Sequence, residues 1–175
     1  YFTSTSNGVR GMYLNPTENG SLLVASRDDG NFVRRLDPAT GELKDPPTIP
    51  TTGYLTGATF AINKVVVSDD GVVYVTSLGV QTGVEQHFRI YRHADEFSQE
   101  TIAADIRTEA GTGIGFRLGD DVDIIGSGND TKILVAGASG GGVHLFTTTD
   151  NGLTFSRTQL TGTPSFGTAT PHIAW

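Results

Sequence analysis

The sequence predicts an all-β protein built from four-stranded antiparallel units of the β-propeller type, about three blades plus the start of a fourth. Three observations carry this. Glycine is frequent, 23 of 175 residues, and Thr, Val and Ile recur throughout, a composition of strands and tight turns. Three passages, beginning near Arg10, Asn63 and Asp121, share one order: apolar run, Gly/Asn/Asp turn, apolar run, loop, third strand, turn, polar fourth strand. The runs LLVA, VVV, VVYV and ILVA are continuously apolar rather than alternating, as strands covered on both faces are.

The blades span residues 8–50, 60–107 and 119–161, and 162–175 begins a further one. Setting Asp37, Arg92 and Thr147 in register on the third strands gives two intervals of 55 residues. Second-strand intervals of 51 and 61 differ, as they do when loop lengths vary. The stretch VVVSDDGVVYV at 65–75 is the inner hairpin of the second blade, with Asp69, Asp70 and Gly71 as its turn. Adjacent turn carboxylates diverge, whereas a glycosidase pair faces across its substrate at about 5–9 Å. Three blades fall short of the roughly four to eight that close a ring. An incomplete ring is therefore expected, its open flanks covered by further blades of a longer chain or by other copies of this one.

A net charge of −7, with no basic run longer than Arg34-Arg35, argues against nucleic acid as a partner. No stretch approaches the roughly 20 apolar residues of a membrane span. The lack of cysteine excludes disulfides, thiol catalysis and zinc-thiolate sites. His87, His93, His144 and His172 lack zinc-site spacing. The glycine-rich GASGGGV around Ser139 has neither the order of a nucleophile elbow nor the Lys-Ser/Thr of a phosphate loop, and reads as a flexible loop between the second and third strands of its blade. No catalytic residue is predicted.

A meander places its first–second and third–fourth turns at one end and its remaining connections at the other. The short turns at 15–20, 68–71 and 126–131 make one trim face; the long pieces at 45–59, 78–87, 104–120 and 162–170 gather opposite. Long loops on a rigid scaffold tend to carry function. The candidate ligand-binding set is therefore Arg27, Asp28, Tyr54, Glu85, His87, Arg117, Asp120 and Asp121, a mixed-charge rim suited to a glycan or a protein edge. Asp120, Asp121 and Asp123 could supply oxygen ligands to Ca²⁺, although the Asp-x-Asp-x-Asp-Gly loop pattern is missing. No other cofactor is expected.

The passage TTTDNGLTF at 147–155 resembles the Asp-box of sialidase-type propellers, and Thr148, Asp150, Gly152, Thr154 and Phe155 carry the match. The resemblance implies a structural turn between third and fourth strands, away from any catalytic face. LDPATGEL, VVVSDDGVVYVTSL, FRIYRHADE and RLGDDVDIIGSGNDTKIL together resemble a secreted bacterial propeller family of unknown function, over roughly residues 8–155. That resemblance implies the fold and an extracellular or cell-surface setting, with no activity attached. Sialidase activity is not implied, because one box is present and no arginine cluster is identifiable. The expectation is a non-enzymatic extracellular scaffold or recognition module, self-assembling or part of a larger secreted or surface protein. The alternative is a carbohydrate-active hydrolase or lyase with its site on the long-loop face.

Overall fold

Val65, Val66 and Val67 point alternately to two different cores, and that alternation organises the chain. The computed structural model describes residues 8–28, 30–80, 86–107, 117–162 and 171–175. It has three antiparallel meanders. The first sheet holds β1 (Val9–Leu14), β2 (Leu22–Ser26), β3 (Phe32–Leu36) and β4 (Leu43–Thr48). The second holds β5 (Phe60–Val67), β6 (Val73–Val80), β7 (His87–His93) and β8 (Glu100–Arg107). A short β9 (Arg117–Leu118) pairs with the end of β6. The third sheet holds β10 (Asp121–Ile125), β11 (Lys132–Gly137), β12 (Gly142–Thr147) and β13 (Ser156–Gln159). Among the described residues there is no α-helix, only a 3-10 turn at Gly128–Asp130, and the sheets form no closed ring.

The second sheet is apolar on both faces because it lies between the other two. Val65, Val67, Val73, Val75 and Tyr91 pack on Leu23, Ala25 and Val33 of the first sheet. Val66, Tyr74, Phe88 and Ile90 pack on Val122, Ile133, Val135 and Phe146 of the third. Each fully buried valine or leucine contributes about 1.5–3 kcal/mol. This is why VVV and VVYV lack the alternation of a half-exposed strand.

Polar seams fix the order of the sheets. Buried Asn63 on β5 accepts from Arg10 Nε of β1 at 2.9 Å and donates through Nδ2 to the Gly119 carbonyl ahead of β10 at 2.7 Å. Lys64 beside it pairs with Asp121 at 3.1 Å. Farther along β10, the backbone N–H groups of Ile173 and Trp175 donate to Asp121 and Asp123, each at 3.0 Å, so 171–175 runs beside that strand.

The strongest polar tie joins the first two sheets. Glu96, in the turn between β7 and β8, accepts from Asn15 Nδ2 (2.7 Å), Ser21 N (2.8 Å), Ser21 Oγ (2.5 Å) and Arg35 Nε (2.9 Å), all on the first sheet. Glu96 and Arg35 are both buried. Burial pushes the Glu96 carboxyl up, but the bonds from Ser21, Arg35 and Asn15 outweigh it and hold it below the ordinary glutamate value. Replacing Glu96 by Ala strands Arg35 in a buried site, and urea unfolding is expected to show a loss of about 3–5 kcal/mol. Exposed Glu42→Ala should stay within about 0.5 kcal/mol in the same assay.

Candidate functional site

The turns between third and fourth strands share a device. In the third sheet Thr148 Oγ1 donates to Asp150 Oδ1 (2.7 Å), while Thr154 donates its N–H to Oδ1 (2.9 Å) and its hydroxyl to Oδ2 (2.6 Å). These bonds, those from Thr154 foremost, hold the Asp150 carboxyl down at about 2. Thr148 Oγ1 in turn accepts from Gly152 N at 3.0 Å. Gly152 has φ of 75°, and a Cβ there would overlap the Tyr74 hydroxyl of the second sheet. Phe155 packs edge-on to Tyr74, ring centroids 5.5 Å apart, and its N–H donates to the Ala103 carbonyl of β8 at 3.1 Å. The five residues matched to the Asp-box therefore build one turn and seat it on the preceding sheet.

Asp95 lies 55 residues before Asp150 and does the same work, accepting from Phe97 N and Ser98 Oγ at 2.8 Å each. Asp37 in the first sheet accepts from Ala39 N (2.8 Å) and Thr40 N (3.0 Å). On β3 and β7 the residues that meet the next sheet's turn are Arg35, against Glu96, and Arg92, beside Gly152. The register set on Asp37 is thus two residues late in the first sheet, because the turn after β3 starts sooner.

At the opposite end the expected ligand set is divided among separate contacts. Arg117 makes a bidentate pair with Asp120, both carboxylate oxygens 2.7 Å from Nε, and buried Asp120 also accepts from Ala138 N at 2.8 Å. Asp121 is spent on Lys64 and the Ile173 N–H. His87 Nδ1 lies 2.5 Å from Asp105, whose other oxygen accepts from Arg89 Nε at 3.0 Å. Arg27 stacks 3.7 Å over the Phe60 ring, tying β2's end to the second sheet. Asp28 is buried beside Gly8. Tyr54 is core: it meets Tyr91 edge-on at 4.9 Å, and burial pushes its hydroxyl pKa up. Glu85 lies outside the described residues. Of the expected set, the structure joins Arg117 to Asp120, while Asp121 next to them is turned to Lys64 and Ile173.

Asp123, third of the carboxylates considered for Ca²⁺, accepts from the Ile124 and Trp175 N–H groups. Among the described residues no three His, Cys, Asp or Glu side chains are grouped to hold a metal ion. The glycine-rich stretch is a tight turn of four residues between β11 and β12. A Cβ on Gly137 or Gly141 would overlap the Arg117 carbonyl oxygen, so these glycines admit the β9 backbone.

Sequence reasoning missed a cleft of about 230 Å³ on the short-turn face, between the first two sheets, lined by Glu18, Arg35, Asp70, Asp95, Glu96 and Phe97 among others. Phe97 is 62% exposed and stacks on the Arg35 guanidinium at 4.3 Å. The legible signal was the 55-residue interval from Asp95 to Asp150.

These features define an all-β chain of three interlocked four-stranded meanders. A crystal structure of a DUF4623 family protein from Bacteroides eggerthii is similar to it, with a TM-score of 0.64 and 20% sequence identity. The similarity covers 94% of this chain and 36% of that one, so the chain spans about a third of that protein's length. No family model and no curated protein matches the chain. Among the described residues no helix is long and apolar enough to cross a membrane.

Two tests follow from the turn and the buried histidines. Gly152→Ala forces a side chain onto Tyr74 at positive φ and is expected to cost at least about 2 kcal/mol by urea unfolding; Asp150→Ala, losing the turn's acceptor, should lower the urea midpoint by less than Gly152→Ala does.

The second test concerns acid. His93 Nδ1 faces the Ser98 carbonyl at 2.9 Å and so carries the proton, leaving Nε2 to accept from Tyr54. His144 Nε2 likewise donates to the Gly141 carbonyl at 2.8 Å. Burial lowers both pKa values below the ordinary 6.5. Below about pH 6.5 the unfolded chain takes up protons that the folded chain refuses, so stability falls with pH by up to about 1.4 kcal/mol per unit per histidine. The lowered carboxyls of Glu96, Asp95 and Asp105 add their loss only at lower pH, as they titrate in the unfolded chain. Urea unfolding at about pH 7.5, 6.0 and 5.0 reads the slope; a flat profile contradicts the neutral-histidine assignment.

Proposed function

We propose that this chain is a β-propeller-type segment acting outside the cell as a non-enzymatic scaffold or recognition module. The observation that carries the reading is the interlock: each later sheet inserts its Asp-anchored third–fourth turn into the sheet before it, and the first strands β1, β5 and β10 run side by side along a shared seam. Face-to-face stacking of four-stranded meanders is the packing that propeller blades use, and it supports this reading. The fold shared with the longer DUF4623 protein supports a segment of a larger assembly. The charged side chains around Arg117 are held by one another, an arrangement suited to binding a polar ligand on a rigid surface. A glycan or the edge of a protein is the ligand class that such a mixed-charge rim fits, with no requirement for Ca²⁺.

A glycan array combined with turnover assays on the bound glycans tests this. Binding without bond cleavage is expected, unchanged by chelator, and Arg117→Ala should weaken it by about tenfold, or 1.4 kcal/mol. Release of new reducing ends would overturn the non-enzymatic reading in favour of a carbohydrate-active enzyme. Binding untouched by every variant at this end would overturn the placement of the site.

A further inference from the structure

The cleft on the short-turn face is built by the first two sheets together and is held by their strongest tie. The buried Arg35–Glu96 pair, 2.9 Å apart, forms part of its lining. The turn at 15–20 is one wall, fixed by Asn15, which donates through Nδ2 to Glu96 and accepts through Oδ1 from the N–H and hydroxyl of Thr17. Gly71, with φ of 87°, brings the turn at 68–71 against that wall, since a Cβ there would overlap the Thr17 methyl group. Phe97 is held on the other side. Its N–H donates to Asp95 at 2.8 Å and the Arg35 guanidinium stacks 4.3 Å from its ring centroid, yet the residue remains 62% exposed.

Charge in the cleft is unbalanced. Arg35 and Glu96 neutralise each other, which leaves Glu18, Asp70 and Asp95 around it, all exposed. Asp70 accepts from Ser68 Oγ and Gly128 N, and Asp95 Oδ1 from Phe97 N and Ser98 Oγ, all of them neutral donors. Glu18 has no hydrogen-bond partner among the described residues. Lys44 donates to the Asn19 carbonyl at 2.7 Å and is not part of the lining.

We propose that this cleft seats a lysine or arginine side chain of a basic partner polypeptide, with its charge among the three carboxylates and its stem against the Phe97 ring. A cation is drawn by carboxylates and by the face of an aromatic ring alike, and the two occur together here. The volume of about 230 Å³ lies below the roughly 300–1,000 Å³ of drug-sized sites and suits a single side chain. The chain's net charge of −7 carries the attraction beyond the cleft, which selects a basic polypeptide over a lone amine. Walls fixed before the partner arrives cost little further ordering on binding. The inference goes beyond glycan recognition, and it needs neither a closed ring nor the site around Arg117.

The test is an NMR titration of the 175-residue chain with a capped pentapeptide, Gly-Gly-Lys-Gly-Gly, and with the same peptide carrying norleucine in place of lysine. The lysine peptide is expected to shift the backbone amides of Glu18, Asp70 and Phe97, and the norleucine peptide to bind at least about tenfold more weakly. Glu18→Gln removes one charge without breaking a hydrogen bond of the described fold, and Phe97→Leu keeps apolar bulk while removing the ring face; each should weaken binding by about threefold. Raising NaCl from about 20 mM to about 500 mM should weaken it as well. Unmoved cleft amides, equal binding of the norleucine peptide, or binding unchanged by both variants overturns the proposal. So does a neutral sugar that shifts the same amides where the lysine peptide does not. Lysine-peptide binding beside an empty glycan array leaves the cleft standing and removes glycan recognition; glycan binding with no response to the lysine peptide does the reverse.

Discussion

A sheet that is apolar on both faces cannot face water on either, and this constraint on the second sheet sets the rest of the structure. Val65 and Val67 require a neighbour on one side, Val66 and Tyr74 on the other. The first and third sheets answer that requirement with one inner face each. Their outer faces are consequently where the chain still exposes large apolar side chains, Met12 and Leu14 at one flank and Ile125 at the other. The stacking is thus a relay, in which each sheet satisfies the one before it and passes on an unmet face.

Hydrophobic contact is non-directional, and by itself would let the sheets slide. The directional part comes from the turns. Glu96 enters a site prepared by Asn15, Ser21 and Arg35, and Gly152 brings its backbone against the Tyr74 hydroxyl. Asp95 and Asp150 shape these turns locally, so the group that reaches across is presented in a fixed position. Here a side chain acting on its own turn determines a long-range contact, and the two scales of structure are coupled through a few carboxylate oxygens.

The strands and their meander order were readable because apolar runs and turn residues are local signals: VVV, ILVA and the Asp-Gly turn at 70–71 each declare themselves within a few residues. Asp150 was readable for the same reason, its partners lying within four positions. Glu96 was not, since its partners are 61–81 residues away and nothing in HADEF marks it as buried. Arg35 was hidden by its neighbour: Arg34-Arg35 looks like a basic pair, yet the pleat sends the two to opposite faces, and Arg35 goes into the seam. Tyr54 sits in a stretch without periodicity, where loop and core residues look alike, and only tertiary packing against Tyr91 and His93 distinguishes it. The candidate site was legible as a set of residue types at one end of the meander. Which charges neutralise one another there depended on β9, a two-residue strand too short to leave a pattern.

Asn63 serves both neighbours of its sheet at once. Its amide offers an oxygen on one side and an NH₂ on the other, and in this chain the oxygen meets a guanidinium donor from the first sheet while the nitrogen meets a carbonyl ahead of the third. A side chain lacking either group would leave one of those neighbours unpaired in a site closed to water. The amide therefore works as a key cut for a donor from one sheet and an acceptor from the other. A single atom's change, the loss of its nitrogen to hydrolysis as a protein ages, would erase the key and place a negative charge against the Gly119 carbonyl.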